Sequence, residues 1–584
     1  MTTSADAGAR RGATLCALAA ASVCALFYLF FGRHSWHPTD YEMLLGFSWR
    51  VVSGAVPYRD FLYVRPPLSL YLHAVWLFLP DVFVISLSRA FYYAQFAASA
   101  AVPIAWAMRA GVLSSGGRAP LFMAAGCALA LHNFPIIPWY TVDGVFFSSL
   151  GLTAFLASLQ APRLLWRAVA SLGFVSAALC KQNFGALPAL LCLFAVVELA
   201  LRWRERGAVA RCAATIGPAL AAVAGVVAWL LATGALADFR HQVFGASHGV
   251  LRSGLLIYVP HVAFLAVGVG LGLLRALPRG DVLVGRAVVV AVVAVVAWCT
   301  VPTLRAAYSF ESGCRVELAL VGLLVGRALS WRRLRAALDP QRELLGMVLL
   351  GGVAIIAWEA GISWGYQTPL LGLVACGPLL ADALPRARSV ALDVVPAALL
   401  ALLVVRWGFE LNVRAPYRDR PIPAQTADLG AAFPKLAGIT TSPGALARYG
   451  ELRALLEEHA LGGPRPFVVM HEYPAIHWLT GTQSPASIDW FWPPDYAGSE
   501  DRLLRELDEK KPIVFLMRER KTPGRGEESA DHIKEVDAPH FIIDAPPCPE
   551  LFFPPKRHSV LSKHVVEHGR PIGGGTYFCV FSLE

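Results

Sequence analysis

About thirteen apolar runs, most of them near the roughly 20 residues that a spanning helix needs, divide the first 406 residues of this chain. A chain built this way must bury those runs in lipid or against one another. They fall at about 13–32, 82–107, 119–138, 143–160, 167–181, 184–201, 212–233, 255–274, 287–304, 316–330, 344–360, 369–384 and 390–406. Only 16% of residues are charged, against about 25% in an average globular protein, and the mean hydropathy is +0.53. A cytosolic enzyme, a disordered chain and a small disulfide scaffold are thereby excluded. The expected fold class is a polytopic α-helical membrane protein with a small C-terminal α/β domain outside the membrane. The N-terminal MTTSADAGARRG and the run after it resemble a signal sequence. No small-x-small site precedes the next polar segment, so this run reads as an uncleaved first span.

The net charge of +10 does not point to nucleic acid, because most basic residues sit in short loops between apolar runs. With the N-terminus cytoplasmic, twenty arginines fall in cytoplasmic segments and nine basic residues in the opposite loops up to residue 368. That bias sets the N-terminus inside. An odd number of spans then puts the C-terminal part outside. The eleven cysteines form no CxxC and no zinc-spaced Cys/His cluster. Cys548 and Cys579 lie in the polar C-terminal part, where an oxidising compartment would let them pair.

Two outer segments are too long for turns. In 33–81, residues 40–53 and 67–79 carry apolar side chains at helical spacing and read as two amphipathic helices lying in the membrane interface; Pro66 and Pro67 mark a helix start. Residues 234–254 read as a polar, Gly-broken loop. Two domains follow: 1–406, membrane-embedded, and 407–584, a linker with a helix and then an extracytoplasmic α/β domain. There, 445–461 and 498–510 read as helices, and 465–470, 512–517, 540–544 and 576–583 as strands.

The first outer loop reads TDYEMLLGFSWRVVSGAVPYRD…RPPLSLYL. It has an acid just past the first span, a glycine-bounded amphipathic helix and a basic-Pro-Pro-Leu turn. In this it resembles the GT-C glycosyltransferases, in particular the dolichyl-phosphate-mannose protein mannosyltransferase and aminoarabinose transferase group (family 39-like). PWYTVDGVFFSSLGL, with Asp143 at a helix mouth, and LCKQNFGAL, a Lys-Gln turn between spans, are similar to further stretches of that family. The resemblance covers the architecture of residues 1–410 and three short motifs. It implies an enzyme taking a sugar from a polyprenyl-phosphate donor to a lipid, glycan or protein acceptor at the outer face of a bacterial inner membrane.

Chemistry then assigns roles. The acceptor hydroxyl needs a base, for which Asp40 is the candidate; Asp is also a favoured N-cap. Glu42 either orients Asp40 and substrate or is a solvated first-turn acid. The departing phosphate needs positive charge, from Arg65 at a helix N-terminus and from Lys181, the one lysine in the first 434 residues. Lys181 is costly between apolar runs unless it finds a partner or snorkels. Gln182 and Asp143 either position substrate or satisfy a turn and a helix start. Arg89 is expected to pair with a loop acid. His241, His248, Arg305, Glu311 and Arg315 line outer loops. His471-Glu472 and the 489–494 stretch read more readily as packed loops than as a sugar site. The acid that helps bind a metal in the aminoarabinose transferases is Val64 here, so a divalent metal is doubtful. A transporter or lipid flippase and a non-catalytic envelope-assembly protein are the alternatives. A transporter predicts inverted symmetry and mid-membrane polar groups; an assembly protein tolerates loss of Asp40.

Overall fold

The structure is a computed structural model. It describes residues 2–36, 38–112, 119–131, 137–245, 256, 258–274, 311–330, 340–361 and, from 413 to 583, all but 415, 417–418, 471–472, 492, 497 and 518–559. The expected spans 287–304, 369–384 and 390–406 and the strand 540–544 lie outside the described residues.

The first helix, α1 (Thr2–Phe31), carries the first apolar run. The loop after it forms α2 (Asp40–Val52) and α3 (Leu68–Ala74), the latter running on as a 3-10 turn over Val75–Phe78. Next come α4 (Asp81–Arg109), α5 (Ala119–Leu131), α6 (Tyr140–Gln160), α7 (Leu164–Cys180), α8 (Ala186–Arg202) and α9 (Ala208–Ala232). Pro103 and Pro218 sit inside α4 and α9, as lipid-embedded helices tolerate. A short α10 (Leu236–Arg240) precedes α11 (Ala263–Leu274), α12 (Glu311–Leu329) and α13 (Pro340–Gly361).

Among the described residues, five helices are long and apolar enough to cross a membrane: Arg11–Phe31, Tyr140–Gln160, Gln182–Arg202, Ala208–Ala232 and Leu344–Gly361. They divide by burial. The apolar windows of the second and fifth are 67% and 61% buried, whereas the other three bury 22% or less. Large apolar side chains such as Leu29, Leu193 and Val209 therefore face outward, which only a lipid environment accommodates. Helices α6 and α7 touch backbone to backbone: a Cβ on Gly173 would lie 2.8 Å from the Gly151 Cα, the small-residue contact by which membrane helices pack.

The C-terminal unit opens with 3-10 turns and a minimal ladder of β1 (Ala427–Asp428) with β2 (Thr440–Thr441). The helix expected between 407 and 445 is not found among the described residues of that stretch beyond a single helical turn at 413–414; proline at 421, 423 and 434 keeps the chain in short turns. Helix α14 (Pro443–His459) starts where sequence rules place it, with Pro443 in its first turn and the Ser442 hydroxyl accepting from Ala445 N. Then follow β3 (Phe467–Met470), α15 (Ile476–Thr480), α16 (Pro493–Tyr496), α17 (Glu500–Lys510), β4 (Ile513–Met517), α18 (Val560–His568), β5 (Gly569–Gly574) and β6 (Phe578–Leu583). The sheet order is β3-β4-β6-β5, with β3 parallel to β4 and the other pairs antiparallel. Strand β3 is apolar throughout and β6 is apolar but for Ser582, and both are buried along their whole length. Cys579 on β6 is disulfide-bonded; Cys548 lies outside the described residues.

Two elements differ from expectation. Helix α2 does not lie open on the interface. Met43, Leu44, Phe47 and Ser48 are all buried, and the C-terminal unit covers the helix. Gly46 makes this possible: a Cβ there would fall 2.0 Å from the Pro474 carbonyl oxygen. The stretch 234–254 is not simply a loop. It forms α10 and a π turn over His241–Gly245, because Val243 and Phe239 pack with Tyr58, Phe47 and Tyr140.

Candidate active site

Thr39 occupies the cap position of α2 and makes no side-chain capping bond; Asp40 is the first helical residue and is buried. Two residues on, Glu42 is fully buried. Its Oε1 accepts from Trp36 Nε1 at 3.0 Å and from the Tyr449 hydroxyl, and its Oε2 from Ala475 N at 3.2 Å. Glu42 thus ties the loop after α1 to the C-terminal unit. Burial, then the Glu42 charge, pushes the Tyr449 phenol well above its ordinary range and keeps it a donor.

Arg65 stands just before α3, its carbonyl accepting from the Tyr58 hydroxyl at 2.7 Å. The guanidinium stacks on Tyr140, 4.3 Å from the ring centre, with Nη1 3.5 Å from Asp495 Oδ1. Burial alone would favour neutral Arg65, but Asp495, Tyr140 and Tyr63 hold its pKa above the usual value. Lys181, in extended backbone between α7 and a 3-10 turn over Gln182–Gly185, does not snorkel. It is 4% exposed, donates to Thr141 Oγ1 at 3.0 Å and lies 5.5 Å over the same Tyr140 ring. Two cations thus converge on one aromatic side chain at the mouth of α6.

Asp495 comes from α16 of the C-terminal unit and is buried; its Oδ2 has no hydrogen-bond partner among the described residues. Burial raises its pKa, Arg65 lowers it and the nearby Asp40 charge raises it again, with a net rise. Among the described residues, the Tyr63 hydroxyl and Gln182 Oε1 here are also buried without hydrogen-bond partners. Gln182 donates through Nε2 to Val64 O at 3.2 Å, joining the Lys181 turn to the Arg65 turn. Glu359 of α13 fixes that turn from inside the bundle, its Oε1 accepting from Ala186 N at 2.8 Å and Leu187 N at 3.1 Å at the start of α8.

Asp143, fully buried on α6, accepts from Gln95 Nε2 at 2.7 Å and faces His73 Nε2 at 3.2 Å. It therefore joins α3, α4 and α6. The structure brings Asp40, Arg65, Lys181 and Gln182 together around Tyr140. Glu42 and Asp143 are held by protein groups on either side.

Arg89 donates to the backbone carbonyls of Gly32 (2.8 Å), His34 (3.0 Å) and Ser35 (2.5 Å). Its place in an apolar helix lets it grip the chain leaving α1. Asp489 pairs with Arg50, so that part of the 489–494 stretch is a packed contact. His248, Arg305, His471 and Glu472 lie outside the described residues, and His241 falls in the π turn. Among the described residues no three His, Cys, Asp or Glu side chains gather as metal ligands do.

No protein-family model and no curated protein matches the sequence. Among solved structures, ArnT from Cupriavidus metallidurans bound to undecaprenyl phosphate aligns over 98% of this chain and 98% of its own, at 12% identity and a TM-score of 0.47. The apo state of the same ArnT aligns over 99% and 98%, at 12% identity and a TM-score of 0.39. What the site does is read below from its own residues.

Proposed function

We propose that this chain is a membrane glycosyltransferase that moves a sugar from a polyprenyl-phosphate donor to a lipid, glycan or protein acceptor, with Asp40 as general base. The observation that carries the reading is the convergence of buried Arg65 and Lys181 on Tyr140 beside buried Asp40. Arg65 already faces Asp495, and two basic side chains meeting at one buried aromatic ring offer charge-assisted hydrogen bonds to a further anion such as a lipid phosphate. Its polyprenyl tail would follow the outward apolar faces of the helices. Gln182 Oε1 and the Tyr63 hydroxyl, buried without protein partners, have the chemistry to hold sugar hydroxyls.

In this mechanism Asp40 accepts the acceptor proton as the acceptor oxygen attacks an oxocarbenium-like carbon. Arg65 and Lys181 stabilise the charge that grows on the departing phosphate. Direct displacement inverts the sugar carbon. The proposed setting is a bacterial inner membrane with the N-terminus cytoplasmic. Residues 1–406 form the membrane domain and 407–584 the extracytoplasmic part.

The test is glycosyl transfer in proteoliposomes offered a panel of polyprenyl-phosphate sugars, with wild type and Asp40→Asn matched for folding and insertion. Turnover by wild type and a loss of about 10²–10⁴-fold in the variant is the expected result. Equal turnover in both removes Asp40 from the chemistry. Failure of wild type to use any donor or to bind undecaprenyl phosphate removes the activity itself.

A further inference from the structure

We propose that Asp495, supplied by the C-terminal unit, determines the charge preference of the phosphate site: it holds Arg65 in place and disfavours the doubly charged lipid monophosphate left after transfer. The inference rests on the function proposed above. Asp495 Oδ1 lies 3.5 Å from Arg65 Nη1, both side chains are nearly inaccessible, and Oδ2 is buried with no partner. Among the described residues no hydrogen-bond donor reaches that oxygen.

The carboxylate is not placed to swing away. The segment that carries it is fastened to the outer loop by Arg50, which grips Asp489 and donates to Ala486 O at 2.7 Å. Leu62 N donates to Ser487 O at 2.7 Å, and Ser487 N to Glu506 Oε2 at 2.6 Å. Trp490 is buried with Phe47, Tyr58 and Tyr140. Any phosphate that reaches Arg65 meets Asp495 as well.

The reaction changes the charge that it meets. The donor is a phosphodiester with one negative charge. Transfer breaks the bond between the sugar carbon and the phosphate oxygen, and the electron pair leaves with that oxygen. The acceptor oxygen bonds to the carbon, and its proton passes to Asp40. The lipid is left as a phosphomonoester, whose second ionisation lies near pH 6. Once Asp40 has released that proton to water, Arg65 and Lys181 against Asp40 and Asp495 give a site close to neutral overall. It tolerates the diester's single charge better than the monoester's two, so Asp495 favours product departure.

The experiment is ligand binding by the full chain in nanodiscs at pH 8, read by tryptophan fluorescence. The probes are undecaprenyl phosphate, a monoester, and its methyl ester, a diester with the same tail. Asp495→Asn removes the charge and keeps the shape. The expected result is a shift in relative affinity toward the monoester by about tenfold, with Asp495→Glu keeping the wild-type preference. An unchanged ratio, including equal weakening of both lipids, overturns the proposal. Arg65→Ala separates the two levels. If it weakens both lipids while Asp495→Asn leaves the ratio alone, the phosphate site stands and the role of Asp495 falls. If wild type binds neither lipid, both fall.

Discussion

Arg50 and Arg65 belong to the same outer loop, and each meets an aspartate of the C-terminal unit, yet the two pairs are built differently. Arg50 engages both oxygens of Asp489 and also reaches the Ala486 carbonyl. Arg65 makes one ion-pair contact at 3.5 Å, spreads its face over Tyr140 and leaves Asp495 Oδ2 unmatched. The first pair is saturated and works as a clasp. The second keeps unused bonding capacity in a buried place, which costs stability and is what a ligand can use. The same contrast separates Glu42, taken up by Trp36, Tyr449 and Ala475, from Gln182, whose Oε1 is unpartnered.

The contrast can be broken at several points. Arg50→Ala strands Asp489 in a buried site, and a destabilisation of about 3–5 kcal/mol is expected, read as a lowered Tm of the purified protein. Replacing both partners by apolar residues should recover much of it. Arg65→Ala, whose pair makes a single longer contact, should lower the Tm less than Arg50→Ala while turnover falls about 10²–10³-fold; an equal Tm loss would make Arg65 a second clasp.

Acid sharpens the comparison further. His477 lies buried beside the Arg50 pair, and its pKa is pushed down to about 4, by burial first, with Asp489 raising it and Arg50 lowering it. The unfolded imidazole titrates near 6.5, so between about 4 and 6.5 the unfolded state binds the proton and stability rises with pH. Thermal unfolding at pH 7, 6 and 5 should show a loss of roughly 1.4 kcal/mol per unit below about 6.5, flattened in His477→Gln. The smallest effect belongs to Arg59, paired with Asp60 on the surface. Arg59→Ala should leave both Tm and turnover within error, and a clear loss of either would show that exposed pairs of this loop matter too.

Part of this was legible in the sequence. The helical spacing of 40–53 marked α2, and the lone lysine among arginines marked Lys181. The basic-Pro-Pro turn marked Arg65. Each signal is local, which is why it survives in a one-dimensional reading. Asp495 was not legible: its meaning comes from a residue far away in the chain, and nothing near Pro493-Pro494 announces it. His73, Gln95 and Glu359 did carry a signal, a polar side chain set in an apolar run. Only their partners distinguish a helix cap from a contact to Asp143. The covering of α2 by Pro474 was hidden because a glycine at 46 reads as a weak helix position until its neighbour is known.

The clasp also fixes an order of events. Arg50 and Asp489 are 439 positions apart, and Glu42 and Ala475 are 433 apart. A ribosome completes the membrane helices long before it makes the residues that close over α2. The nascent chain therefore carries an open, mismatched first loop through most of its synthesis, and contacts of such long sequence separation form late. The surface that covers α2 is therefore assembled only after residues 475–489 have been made, so the membrane helices pack first and the cover is added to a finished bundle.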